Sequence, residues 1–483
     1  PSASVVIPIS SSDLTEGTVS APSLTFTTVN WNTPQSVTVT GVDDVIIDGN
    51  IIYSISIGAS TSADPYYNGI DPADLSLSNI DNDIAAVNVT PTSGLTTTEA
   101  GGTATFTVRL ASQPSANVSF TLSSSNTLEG TVSPTNVTFT SGNWNSPQTI
   151  TVTGVDDLVD DGDVLYSIIT SATTSGDALF NNLTVSDVSV TNLNNDIAGV
   201  IVSPTSGLTT TEAGGTATFT IRLATQPTQN VSITLSSSNT AEGNVSPTSV
   251  TFTSANWSVA QTITITGVND DIDDGNISYT IITSNATSTD TKYNNMNVAD
   301  VSVVNTNDDT AGITVTPTSG LTTTEAGGTA TFTVRLNSRP TANVVIGLSS
   351  SNIAEGTVSP TTLTFTNANW NVLKTVTVTG IDDFVQDGNQ AYTIVTAPAT
   401  STDTKYNGLN AADVSVTNTD NDVAGITVNP TSGLTTTESG GTATFTIVLR
   451  SQPTASVTIG LTSSNTAEGT VSPASVTFTT TNW

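Results

Sequence analysis

The stretch TATFTVRL, Thr103 to Leu110, alternates without a break. Ala104, Phe106, Val108 and Leu110 fall on one side, and Thr103, Thr105, Thr107 and Arg109 on the other. A period of two belongs to a strand with one buried face. The alternation returns at Val118, Phe120 and Leu122, at Val137 and Phe139, and at Ile150 and Val152. It returns again at Tyr166 and Ile168 and at Val188 and Val190, and Val87 to Thr90 opens the series. Ser-Asn, Glu-Gly, Ser-Pro and Asp-Gly pairs lie between these runs and favour turns. Thr, Val and Ile suit a pleated surface, and no stretch carries a 3.6-residue apolar period. About seven short strands in roughly 110 residues predict an all-β, antiparallel β-sandwich. A continuous β-solenoid is the alternative, but its rungs would recur every ~20–30 residues, and none do.

The pattern is repeated along the 483-residue chain. Glu99, Glu212, Glu325 and Glu438 are spaced by 113 residues (212 − 99 = 113), as are Trp31, Trp144, Trp257, Trp370 and Trp483. Tyr53, Tyr166, Tyr279 and Tyr392 keep the same interval, with no insertion to disturb it. So exact a register points to duplication within one gene, and identity between copies then reflects shared ancestry before functional need. An acidic triplet such as Asp81-Asn82-Asp83 closes each copy, so the expected units are 85–197, 198–310 and 311–423. Residues 1–84 lack the start of a unit and 424–483 lack the end, giving a linear array of sandwiches like beads on a string. The expectation is a window on a longer repetitive protein. Adjoining chains that complete each other's broken units by lending strands are the alternative.

Composition removes several classes of function. There is no Cys and no His, so disulfides, thiolate and imidazole metal sites and His-dependent catalytic triads are all excluded. Net charge is −33 with only eight Lys and Arg, which argues against nucleic acid and against an anionic membrane surface. It favours solubility and attraction of cations. No apolar run approaches the ~20 residues of a membrane helix, so no membrane insertion is expected in this segment. No leader is visible at Pro1, and the chain reads as a mature or excised segment.

One acidic turn recurs with the period: GVDDLVDDGD from Gly154 to Asp163, with counterparts at Gly41, Gly267 and Gly380. Asp156 and Asp157 end a strand, while Asp161 and Asp163 flank Gly162. Carboxylate oxygens crowded on a bend suit a hard cation, which takes six to eight oxygens, and calcium is the common one outside cells. One turn cannot supply so many, so Glu99 and Asp196 are expected to converge on it. Turn formation alone would leave the clustered charge uncompensated.

The early Glu in TEAGG, the DD pair after TVTG, the following acid and the closing triplet together resemble Calx-beta domains. These β-sandwiches are known from sodium–calcium exchangers and long bacterial surface proteins. The resemblance implies calcium ligands gathered at one end of each sandwich, where one unit hands over to the next. It implies Glu99, Asp156, Asp157, Asp161 and Asp196 in 85–197. It implies Glu212, Asp270, Asp274, Asp308 and Asp309 in 198–310, and Glu325, Asp382, Asp383, Asp387, Asp420 and Asp422 in 311–423. The first stretch retains Asp43, Asp44, Asp48, Asp81 and Asp83, and the last retains Glu438. Asn269 and Asn194-Asn195 depart from the family pattern, which implies fewer ions or weaker binding, near ~10⁻⁴–10⁻³ M.

Other features read as structure. Asp64, Asp177, Asp290 and Asp403 precede the pairs Tyr67-Asn68, Phe180-Asn181, Tyr293-Asn294 and Tyr406-Asn407. With Asp74, Asp187, Asp300 and Asp413 they predict a loop pinned by an aromatic plug. Trp144 and its equivalents are expected to seal a sandwich edge rather than stack on sugar. Thr149, Thr151 and Thr153 are ordinary solvent-facing strand residues, and sequons at Asn117, Asn136 and Asn230 leave glycosylation open. The expected function is a calcium-stabilised stalk, fibre or matrix at the cell surface, partnered by further repeats of the same protein in a homopolymeric fibre. An adhesin whose repeats grip glycans or a protein is the alternative. An enzyme is not expected, because the same acids recur on glycine turns in every unit.

Overall fold

The computed structural model describes residues 1–483 as strands and turns without a helix. Thr103–Leu110 is a strand whose Phe106, Val108 and Leu110 are buried, as its alternation requires. Unit 85–197 shows the arrangement. Its strands are β1 (Val87–Thr90), β2 (Leu95–Thr98), β3 (Thr103–Leu110), β4 (Val118–Ser124) and β5 (Gly130–Ser133). They continue with β6 (Asn136–Phe139), β7 (Gln148–Gly154), β8 (Val164–Thr170), β9 (Thr174–Ser175) and β10 (Val188–Leu193). One sheet runs β5-β7-β3-β1. The other runs β6-β4-β8-β10-β2, with β9 also on β4.

All seven expected strands are present, and β2, β5 and β9 are additional. β2 reads LTTT and offers one apolar residue, so it has no alternation to detect. It also brings the one departure from an antiparallel sandwich. β2 lies parallel to β10, with Leu95 opposite Val190 and Thr98 opposite Leu193. That pairing carries the residue after β2 to the same end of the sandwich as the residue after β10.

Between the sheets lies an aliphatic and aromatic core of 16 buried residues in 85–197, 17 in 198–310 and 18 in 311–423. Residues 1–84 contain counterparts of β4 onward, and their buried cluster is Ile9, Tyr53 and Ile55. In 424–483 Leu449 and Phe478 are the only buried hydrophobic residues. A sandwich closes only where both sheets are complete.

Trp144 packs half-buried against the core edge, and its carbonyl accepts the Leu110 amide at 2.9 Å. Trp31 lacks a β3-type strand beside it and is exposed. The aromatic plug is equally clear. Phe180, Tyr293 and Tyr406 are almost wholly buried, whereas Tyr67, in the incomplete stretch 1–84, is exposed and plugs nothing. Asp290 Oδ2 accepts the Thr228 amide at 2.8 Å and its Oδ1 accepts the Lys292 amide at 2.9 Å. Asp300 Oδ1 accepts the Thr283 amide at 2.8 Å. These aspartates are consumed by backbone donors.

Gly130 and Gly243 sit where a Cβ would lie 2.1 Å from the hydroxyl oxygen of Tyr166 and Tyr279. Each tyrosine is itself buried in the core. Gly243→Ala is expected to destabilise unit 198–310 by roughly 1–3 kcal/mol through overpacking. Hydrogen exchange should show lowered protection confined to that unit, and unchanged protection would contradict this account of the glycine.

Candidate metal centre

Four chain segments end together at one pole of the sandwich. β2 delivers Glu99, the turn before β5 delivers Glu129, and β7 delivers Asp156 and Asp157. β10 delivers Asn194, Asn195 and Asp196. In 85–197 carboxylate oxygens of Glu99, Asp156 and Asp196 lie within 4.8 Å of one another, and so do those of Glu129, Asp157 and Asp161. In 198–310 the groups are Glu212 with Asp308 and Asp309, and Glu242 with Asp270 and Asp274. In 1–84, Glu16, Asp44 and Asp48 converge, and Asp43, Asp81 and Asp83 line the same hollow. In 311–423 the charges of Asp383, Asp387 and Asp420 act on Glu325, and those of Asp382 and Asp383 on Asp422.

The second group rests on the glutamate of the Glu-Gly turn, a pair that by itself marks only a bend. Glu129 is only 5% exposed, and Glu16, Glu242 and Glu355 are similarly buried. Asn192 Nδ2 donates to Glu129 Oε2 at 3.2 Å and to the Val155 carbonyl at 3.1 Å. Thr97 Oγ1 donates to Asn192 Oδ1 at 2.9 Å. Asn79, Asn305 and Asn418 hold Glu16, Glu242 and Glu355 in the same way. The available signal was an acid kept at the 113-residue interval in Glu-Gly, where a solvent-facing turn would tolerate any polar residue.

Other predicted residues are placed differently. Asp163 is exposed, and its Oδ1 accepts the Asn194 amide at 3.1 Å. Asn50, Asn276 and Asn389 accept the equivalent amide, so a neutral oxygen serves there. Asp81 and Asp420 accept the amides of Gly49 and Gly388, each at 2.8 Å, and so close the acidic turn. Glu438 is exposed, and the only acid after it in the chain is Glu468.

Electrostatics at the pole are unfavourable to the ionised carboxylates. Burial, reinforced by neighbouring acids, raises Glu99, Glu129, Asp161 and Asp196 above their ordinary values. Burial pushes Glu212 up to about 7 and Glu325 up to about 6, against a backbone amide that favours the charge in each. Three oxygens, Asp196 Oδ2, Asp309 Oδ2 and Asp422 Oδ2, are buried with no hydrogen-bond partner. Buried acceptors of this kind are rare and call for a partner of another sort. An all-oxygen, multiply charged donor set with unmet lone pairs fits a hard divalent cation.

The pole also touches the next unit. The Leu158 carbonyl accepts the Gln226 amide at 2.6 Å, and the same bond joins Val45 to Gln113, Asp271 to Arg339 and Phe384 to Gln452. Acidic clusters therefore stand at the junctions of successive sandwiches.

No protein-family model matches the chain, and no curated protein matches it. The likeness to Calx-beta domains therefore stands on the arrangement of the motif. Among solved structures, the CBD12 of CALX1.2 is 16% identical over 45% of this chain and 98% of its own, with a TM-score of 0.23. Mouse cadherin-23 EC22-24 is 11% identical over 70% of this chain and 100% of its own, with a TM-score of 0.27. Domains 4-9 of the surface layer protein SbsC are 13% identical over 88% of this chain and 60% of their own, with a TM-score of 0.20. The TM-scores are low in every case.

Proposed function

We propose that this chain is a structural extracellular repeat protein in which calcium, held at the acidic pole of each unit, stiffens a stalk, fibre or matrix at the cell surface. The observation that carries this reading is the set of buried, unpartnered oxygens of Asp196, Asp309 and Asp422. Glu99, Asp156 and Asp196 would hold one cation, and Glu129, Asp157 and Asp161 a neighbouring one. Glu212, Asp308 and Asp309, with Glu242, Asp270 and Asp274, would do the same in 198–310. Calcium would bring the positive charge that these carboxylates lack and would accept their unmet oxygen lone pairs.

The protein's own residues turn that compensation into stiffness. The loop bearing Asp156, Asp157 and Asp161 also presents the Leu158 carbonyl to the next unit. The triplet ending in Asp196 leads directly into the linker at Ile197. A loop held at its carboxylates holds the contact it makes with its neighbour. Further copies of the same protein, assembled into a fibre, are the proposed partners. Fibre ends or surfaces could also meet a glycan or cell-surface protein.

Calcium at ten times its dissociation constant should stabilise a unit by about 1.4 kcal/mol per site. Denaturant melts in calcium and in EDTA measure this directly. Equal midpoints in the two, with an unchanged persistence length by scattering, would end the proposal. Asp196→Asn should lose most of the calcium increment of unit 85–197 while leaving that of 198–310 intact.

The raised carboxyls give pH dependence a definite sign. The folded-state value of Glu212 lies well above the ~4.3 of an unfolded glutamate. In metal-free protein its contribution to stability is therefore fully present below that unfolded value. It is lost as pH rises through about 7. Because ionised carboxylates bind the cation, calcium affinity should move the other way. It should weaken below about 7 in 198–310 and below about 6 in 311–423. Calorimetric titrations across that range, resolved by unit, would expose a pH-independent affinity as a contradiction.

A further inference from the structure

The chain forms two ion pairs, and both cross from one unit to the next. Lys292 of unit 198–310 reaches Asp160 in the acidic loop of unit 85–197. Lys405 of unit 311–423 reaches Asp273 in the loop of unit 198–310, Nζ to Oδ1, at 2.6 Å. The second oxygen of each carboxylate is also used. Asp160 Oδ2 accepts the Ala198 amide and Asp273 Oδ2 accepts the Ala311 amide, both at 2.9 Å. One carboxylate thus grips its own exit linker and the following unit together. Each lysine immediately precedes a buried plug, Tyr293 or Tyr406, so its backbone is firmly seated.

The paired positions change together along the chain. One interval earlier, Ile47 stands in place of Asp160 and Leu179 in place of Lys292. Ile47 packs half-buried against the core of 85–197, and Ile47 and Leu179 line one cavity. Apolar meets apolar at the first junction, and acid meets lysine at the next two. Gln386 follows in the series and keeps the linker bond, accepting the Ala424 amide at 2.6 Å. Neither Asp160 nor Asp273 is needed for the convergent carboxylate groups described above.

We propose that Lys292 and Lys405 are tethered counter-ions that align their junctions by charge, in the absence of any bound metal. This goes beyond the calcium reading, since the brace acts through different carboxylates and at low calcium. Each lysine is about half exposed, with 43% and 49% of its side-chain surface open, while both aspartates keep 15%. A pair of that kind is screened by salt, so the brace should weaken as ionic strength rises.

The chain has no cysteine, so paired labels can be introduced cleanly. Thr131, Asn244 and Thr357 are exposed at equivalent positions of successive units. Spin labels on cysteines at 131 and 244, or at 244 and 357, report the two junctions in the full chain. In EDTA at low salt, Lys292→Met should broaden the 131–244 distance distribution about twofold and leave 244–357 unchanged. Lys405→Met should do the reverse. Salt near 1 M should broaden both in the parent and add nothing at the substituted junction. Parent-like widths in both variants in EDTA would overturn the brace. Adding calcium to Lys292→Met separates the two ideas. Recovery of the narrow distribution is expected if the cation sites stiffen the junction. Failure to recover counts against those sites and leaves the brace standing.

Discussion

Carboxylates buried together at one pole must be compensated, and most of the junction's architecture follows from that. The pole gathers acids from four segments while the chain carries only eight Lys and Arg. Burial, with the charges of Asp270, Asp274 and Asp309 added to it, drives Glu212 to about 7, so that charge is poorly solvated by the protein. Some compensation is internal. Asn192 supplies an amide to Glu129, and the Asn195 backbone supplies one to Glu99 at 2.8 Å. What remains unmet is confined to a few oxygens, those of Asp196, Asp309 and Asp422.

The fold brings the acids together through one unusual pairing. An antiparallel meander would place Glu99 at whichever pole its hairpin reached. The parallel contact of β2 with β10 instead sets Glu99 beside the closing triplet, though 97 residues separate Glu99 from Asp196 (196 − 99 = 97). Gly154 lets the strands close at this point. A Cβ there would lie 2.2 Å from the Thr98 carbonyl and 2.6 Å from Asn192 Oδ1. The close approach stacks the buried polar layer directly beneath the acids.

Much of this was legible in the residues because two independent periods coincide. Alternation at Phe106, Val108 and Leu110 fixed the strands, and the 113-residue interval fixed the tandem arrangement. Acids on bends marked the pole. What stayed hidden lacked either signal. Leu95–Thr98 has one apolar residue and pairs in parallel, so neither its existence nor its partner shows locally. Glu129 sits in a Glu-Gly turn whose burial depends on strands distant in sequence. Asp160 reads as one more acid of a cluster, and only the lysine 132 residues on gives it a separate role.

Comparison between units separates ligand-like acids from mere acceptors. If duplication alone kept the units alike, every acidic position should drift equally. They do not. Where an oxygen accepts a backbone amide, Asp and Asn interchange, as at Asp163 against Asn50, Asn276 and Asn389, and at Asp81 and Asp420 against Asn194 and Asn307. An amide oxygen serves that bond as well as a carboxylate does. Where the structure leaves an oxygen buried and unpartnered, every complete unit keeps a carboxylate, Asp196, Asp309 and Asp422, and Asp83 stands at the same position in 1–84. The same constancy holds at Glu129 and at Asp157 and Asp161, although burial raises the Glu129 and Asp161 carboxyls. The outer oxygens of the first group are not held so strictly, since Asn269 stands at the position of Asp156 and Asn195 at that of Asp308. Charge kept at the buried, unpartnered oxygen and in the group built on Glu129, while more open positions drift, is the pattern that cation binding at those two points would impose.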